Sequence, residues 1–405
     1  MSVKSIFAIG IIFIATSIGW MILGGTNLAR TSGSSSKLRK SMRTLYGAEL
    51  AVKAPKLCTK TENKTAYRSE EKPSFTYTYF YPAQSDVAID IKLDRRKKGN
   101  LWFPTFKAHF SGTYTFKIDS IDTAQQYYLQ ANFGSADTIY NNVTVRLNEE
   151  PLQTLAPLIA QSDIPILLNS NGEFRLSIEY DTSGMETVYY YITPGHEEII
   201  ELKGFTCVIT TDFADYDFPS TMLSPTTKEQ NGKNARLTWN FNSTITGKDI
   251  GLIIPNKLNP GDIIPRVSFF APVSLLFFFV VLSMLSVVYK QKIHPMHFFF
   301  LALTFFSFHL MFSYFSDQID IYLSFFIASV VSLILSVSYV RHFLAKKIAY
   351  IILPLIQTIY LIIFSFSFFF DGKTGLIVTI CAVITLFILM QITAKEDWDE
   401  VFGRN

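Results

Sequence analysis

Two histidines, His294 and His297, bracket a proline in the stretch KIHPMHFFFLALTFF, and imidazoles this close together could hold a transition-metal ion. Such a site needs further ligands of suitable type, and on the same side of the chain only His342 is at hand. The stretch reads better as a seam where a polar, basic loop enters an apolar helix. Pro295 fits there because the first helical amides have no intrahelical partner to lose. No metal and no cofactor is expected.

Four other groups could do chemistry. Asp94, Arg95, Arg96, Lys97 and Lys98 form a charged cluster that could hold anionic headgroups or an acidic polymer; the alternative is a solvated turn, which the adjoining Gly99 and Asn100 favour. His309 is the one ionisable side chain clearly inside an apolar run and could relay protons or bind a carboxylate. It could also reach the lipid interface beside Tyr314. Cys58 and Cys207 lie in the polar middle of the chain and could pair if that part is exported, or remain two buried thiols. Gln357 near Pro354 is read as a satisfied polar group at a proline kink.

Enzyme signatures are missing where they would be expected. Gly372-Lys373-Thr374 lacks the glycine that opens a phosphate loop, His196-Glu197-Glu198 lacks the second histidine of a zinc protease, and no G-x-S-x-G occurs. Asn63, Asn142 and Asn242 head glycosylation sequons, which matter only on a eukaryotic secretory route. The expectation is a protein that is not an enzyme.

The elements that position these residues follow from composition. The 405 residues are 49% hydrophobic and 17% charged, with 37 Phe and a net charge of +3. That balance points away from nucleic acid and towards lipid. An apolar run from Ile6 to Leu23 is long enough to span a bilayer and lacks the small-residue exit of a cleaved signal, so an uncleaved anchor over 1–30 is expected. Five more runs follow: Pro272 to Tyr289, Phe298 to Tyr314, Ile321 to Tyr339, Ile348 to Phe370 and Leu376 to Ile392. They must be helical, because lipid leaves no other way to pair backbone groups. They define a bundle over 266–394 and a cytosolic tail over 395–405. Ser324, Ala328, Ser332 and Ser336 recur every four residues, a smooth stripe for close helix packing.

Residues 31–265 have a different texture, with short alternating segments broken by Gly, Pro, Asn and Asp. Phe75/Tyr77/Tyr79/Tyr81, Phe174/Leu176/Ile178/Tyr180 and Ala235/Leu237/Trp239/Phe241 each place one face inward, the pattern of an antiparallel, sandwich-like domain. TSGSSSKLRKS (Thr31 to Ser41) reads as a flexible linker. Short loops carrying Lys290 and Lys292, then Arg341, Lys346 and Lys347, stay in the cytosol, against loops holding Asp317 and Asp320, then Asp371. This places both termini inside and the β domain outside, with Arg30, Lys37, Arg39, Lys40 and Arg43 as an opposing signal.

In this frame the chain resembles the CreD family of bacterial inner-membrane proteins. The family's basic residue and L-H-P-x-Q-Y is similar to Lys292-Ile293-His294-Pro295-Met296-His297-Phe298, its Ser-Glu step to Ser316-Asp317, its Ile-Ala-Ser-like start to Ile327-Ala328-Ser329, and its closing T-R-x-x-D-W-Y to Thr393-Ala394-Lys395-Glu396-Asp397-Trp398-Asp399. Looser likeness covers Arg95 to Phe116 and Phe218 to Pro225. The resemblance implies a six-helix inner-membrane protein with a periplasmic domain after the first helix, linked to envelope integrity and stress responses. It carries over no catalytic residue. Beside the lipid bilayer, the partner open to the exported domain is an envelope protein, a lipid or a glycan. His297, His309, Asp317 and Asp399 depart from the family pattern. A transporter or lipid-handling role for the bundle is the alternative.

Overall fold

The computed structural model describes residues 3–62, 75–99, 101–118, 125–131, 138–152, 155, 163–168, 172–192, 199–289, 291, 293–370, 372 and 374–394. Asp397 and Trp398 of the closing motif, and Lys290, Lys292 and Asp371 of the loops, lie outside them. The chain forms two compact units, one made of Met1–Lys37, Gly99–Leu101 and Leu258–Asn405, the other of Leu38–Lys98 and Trp102–Lys257.

Helix α1 (Val3–Tyr46) is continuous, so the stretch expected as a flexible linker is helical. The serines do not break it because their hydroxyls bond back into the preceding turn, Ser32 to the Ala29 carbonyl and Ser35 to that of Ser32. Its last turns are fixed within the second unit, where Met42 is buried and Arg39 and Arg43 reach Glu186 at 3.1 and 3.8 Å.

The second unit is built of strands. In chain order they are β1 (Leu50–Lys53), β2 (Lys56–Glu62), β3 (Phe75–Phe80), β4 (Gln84–Leu93), β5 (Arg96–Lys98) and β6 (Leu101–Phe103). Next come β7 (Thr105–Lys117), β8 (Tyr127–Gln130), β9 (Tyr140–Leu147), β10 (Glu150–Pro151), β11 (Ile164–Ile166) and β12 (Glu173–Met185). The series ends with β13 (Thr187–Tyr191), β14 (Ile200–Thr211), β15 (Thr227–Asn231), β16 (Asn234–Thr246) and β17 (Ile250–Ile253).

An eight-stranded sheet runs β10-β9-β12-β7-β4-β14-β16-β15, beside a sheet β11-β8-β2-β3 and a sheet β1-β13-β17. Pairing is antiparallel except at β4–β14 and β1–β13, which are parallel and make the architecture mixed. Strict alternation sends Val87, Ile89 and Ile91, Phe110, Tyr114 and Phe116, and Leu237 and Trp239 to one face, where they share a core with Leu57, Leu129, Ile164, Val188 and Leu252 of the smaller sheets. Two of the three alternating sets expected to face inward do so. The exception is β3, whose Phe75, Tyr77 and Tyr79 are exposed. Alternation reveals two faces but not which one is wet, and here Lys56 lies over the Tyr79 ring at 3.6 Å, leaving these rings on an outer face.

In the first unit α2 (Pro260–Val288), α3 (Pro295–Phe315), α4 (Ile321–Val340), α5 (Ile348–Phe369) and α6 (Thr374–Thr393) follow α1. All six are long and apolar enough to cross a membrane. The phenylalanines interlock edge-to-face at the centre, Phe279 on Phe298 and Phe325 on Phe308 and Phe312. Helix α5 widens into π-helical turns at Ile348–Ile352 and Thr358–Ile363 on either side of Pro354. Proline supplies no amide and crowds the carbonyl four residues back, and the wider turn, with Leu353 N–H on Ile348 O, accommodates that loss. Ser274 donates to the Tyr360 carbonyl in the second widened turn.

The serine stripe is the buried face of α4: Ser324, Ala328, Ser332 and Ser336 are all fully enclosed. Ala328→Leu in the full chain should therefore overpack the bundle by roughly 1–3 kcal/mol and lower the melting midpoint in detergent. Val330→Leu, at a partly exposed position of the same helix, should leave the midpoint within a degree or so of the parent.

Candidate functional site

The outward face of the eight-stranded sheet carries a polar row produced by register alone. Asn141 stands opposite Asp181, Asp181 opposite His109, His109 opposite Asp90, Asp90 opposite Thr210, Thr210 opposite Arg236 and Arg236 opposite Glu229. Seven neighbouring strands thus contribute one polar side chain each. The row crosses a cleft of about 1240 Å³ whose walls add Lys92, Lys107, Asn142 and Asp212.

Several of these groups are held in place. His109 Nδ1 lies 2.8 Å from Asp181 Oδ1; a carboxylate only accepts, so this nitrogen carries the proton. Asn142 Nδ2 donates to the other Asp181 oxygen at 2.7 Å from a left-handed backbone, φ +53°. These bonds, Asn142 first and then His109, hold the Asp181 carboxyl below its ordinary range. Thr210 donates to Asp90, and Asp212 accepts from the Leu93 amide at 2.8 Å. Lys92 and Lys107 face each other directly in register, and neither has an ion-pair partner among the described residues. His109 Nε2 points at Glu179, 3.4 Å away, not at a hydroxyl or thiol.

The charged cluster expected as a headgroup site is largely engaged with its own chain. Arg96 pairs with Asp94 at 2.6 Å and lies over Tyr46, Arg95 donates to the Pro255 carbonyl at 3.3 Å, and Lys98 donates to Ser41. Lys97 is exposed.

Cys58 and Cys207 are free thiols, both buried, on strands of different sheets. Of the two open readings, pairing or burial, the structure has burial. Desolvation, with Asp163 adding to it, pushes Cys58 up to about 11, and burial in the core pushes Cys207 higher still.

In the bundle, His294 caps α3, its Nδ1 accepting from the Met296 amide at 3.2 Å with Pro295 in the first turn. His297 instead bonds the Tyr339 hydroxyl at 2.8 Å and stacks on Phe343. Asp317 pairs with Arg30 at 2.9 Å. His309 does not reach the interface: it is 1% exposed, enclosed by Trp20 and Phe308, because its side chain turns towards α1 and not outward beside Tyr314. Gln357 is also buried, but only its amide is matched, donating to Ser332 Oγ at 2.9 Å. The satisfied glutamine expected at the kink is therefore half satisfied.

Residues 249–399 match the family described as inner membrane protein CreD. Over these 151 of the 405 residues the chain is similar to that family. No curated protein matches the chain. The CreD match takes in the end of the sheet unit, from strand β17, and all five carboxyl-terminal helices, and together with the six spans it makes this a multi-pass inner-membrane protein. The cross-sheet row lies ahead of the matched region, and periodicity could not have found it, since register between distant strands is not written in either strand.

Two measurements follow. Ionised Asp181 contributes stability above the ordinary carboxyl value of 3.8, and that contribution is lost as pH falls through the lowered folded value. Asn142→Gly, which suits the left-handed backbone, should flatten the acid limb of a pH series of melting midpoints. Maleimide at pH 7 should leave Cys58 and Cys207 unmodified in the folded chain and label both on denaturation.

Proposed function

We propose that this is a non-enzymatic inner-membrane protein that holds a charged envelope component in the cleft of its sheet unit. In this reading the sheet unit is periplasmic, both termini are cytoplasmic, and binding serves envelope integrity or the envelope stress response. The observation that carries it is the Lys92–Lys107 pair beside the seven-residue row. A half-solvated sheet face needs polar groups, but not Lys92 set directly against Lys107, since like charges across strands repel. An anionic group on a lipid, glycan or protein partner would relieve them, beside the acceptors Asp90, Asp181 and Glu229. The fixed His109–Asp181 pair supports holding and not turnover, because its free nitrogen faces a carboxylate.

Sidedness is supported by the α1–α3 seam. Phe306 contacts the Trp20 ring, Ser313 bonds Asn27 and Asp317 bonds Arg30, rising together along both helices, so α1 and α3 run parallel. Helix α2, joined to α3 by a short loop, then runs opposite to α1. The chain accordingly leaves the helical unit after α1 and re-enters it at α2 on the Asp317 side, away from Arg341, Lys346 and Lys347. The Arg30–Asp317 pair also offsets part of the basic charge that follows α1.

Transport or lipid handling by the bundle would be favoured if His309 and Gln357 met. They lie on different seams, one against Trp20 and the other against Ser332. Photo-crosslinking through Thr238, whose side chain lies on the outward face beside the row, should trap a partner from intact cells. Lys92→Glu and Lys107→Glu together should reduce that adduct roughly tenfold or more. An adduct unchanged by the double reversal would overturn the binding reading.

A further inference from the structure

The α1–α3 seam contains polar atoms that the two helices cannot satisfy between them. Trp20 and Ser313 are fully buried, His309 is nearly so, and Asn27 is 5% exposed. One bond is made, Ser313 Oγ donating to Asn27 Oδ1 at 2.7 Å. Three atoms have no partner: Trp20 Nε1, Asn27 Nδ2 and His309 Nε2.

Their chemistry is complementary. His309 Nδ1 lies 2.9 Å from the Phe305 carbonyl, which can only accept, so the proton sits on Nδ1 and Nε2 presents a lone pair. Trp20 Nε1 and Asn27 Nδ2 are donors. The Trp20 and His309 rings meet edge-on with centroids 5.8 Å apart, and the two ring nitrogens, both buried, make no hydrogen bond to each other. In hydrocarbon a group left without a hydrogen bond is costly, and a donor beside an acceptor is matched by a hydroxyl, which both accepts and donates. At the outer end of the seam Arg30 bonds Asp317 and lies over the Tyr314 ring.

We propose that this seam is a binding site for a hydroxyl group, either a water or the hydroxyl of a lipid headgroup, that accepts from Trp20 Nε1 and donates to His309 Nε2. Asn27 Nδ2 supplies a second donor about two helical turns further along α1. The site is separate from the sheet cleft and does not depend on the function proposed for it.

The test is a double-mutant cycle on the full chain, read as melting midpoint. Trp20→Phe removes the donor and His309→Phe the acceptor, while both keep an aromatic ring. The expected result is that each single variant melts about 2–4 °C lower and the double variant no lower than the worse single, because either change already breaks the bridge. Single variants at or above the parent midpoint, or losses that add in full, would overturn the proposal by showing a dry seam or independent groups. If Trp20→Phe does not fold, His309→Gln, which retains an acceptor, carries the test: recovery of at least half the His309→Phe loss supports the bridge, and less than half overturns it. Running the cycle in lipid-free detergent and in nanodiscs of phosphatidylglycerol separates the sources. Equal coupling in both identifies water, and coupling confined to the nanodiscs identifies the headgroup hydroxyl.

Discussion

Within the bilayer a polar group without a partner is costly, and this constraint organises the helical unit. Thr304 bonds Ser336 at 2.8 Å, Ser332 donates to the Thr304 carbonyl, Gln357 donates to Ser332, and Tyr360 meets Thr385 at 2.6 Å. These bonds stitch α3, α4, α5 and α6 along lines where small residues permit close approach. Phenylalanine fills the space between them. A phenyl ring has no polar atom to satisfy, which is why a chain with 37 of them can be dense at its centre and still tolerate a kinked α5.

The sheet unit works under a different constraint. Water satisfies its outer face, so that face is free to carry charge, and the core needs only alternation to form. Register then determines which charges meet. His109 lies between two aspartates because β7 lies between β4 and β12, and Lys92 meets Lys107 because the same pairing continues two residues further. The chemistry of this face is therefore a product of strand order more than of any local motif.

That difference explains what could be read in advance. Runs of apolar residues announce membrane helices residue by residue, and the expected spans coincide with α3 to α6 within a few positions. The serine stripe of α4 was legible because helical period ties sequence spacing directly to a face. Helix α1 was misread past Arg30 because glycine and serine weaken helix propensity, while the contacts of Met42, Arg39 and Arg43 that hold its end are tertiary. The β3 rings were misread because alternation has no sign. Trp20 and Asn27 gave no signal until α3 was placed beside them, and the cross-sheet row required pairings between distant strands, Asp90 and Thr210 being 120 positions apart.

The parallel joint between β4 and β14 has a consequence for biosynthesis. Asp90 and Thr210 touch although they are 120 positions apart. As the chain emerges amino end first, β4 can pair with β7 at once, but its other edge stays open until β14 arrives. During that interval a row of unpaired amides and carbonyls is open to any other strand edge that comes near, so the unfinished sheet is most prone to mispairing before β14 arrives.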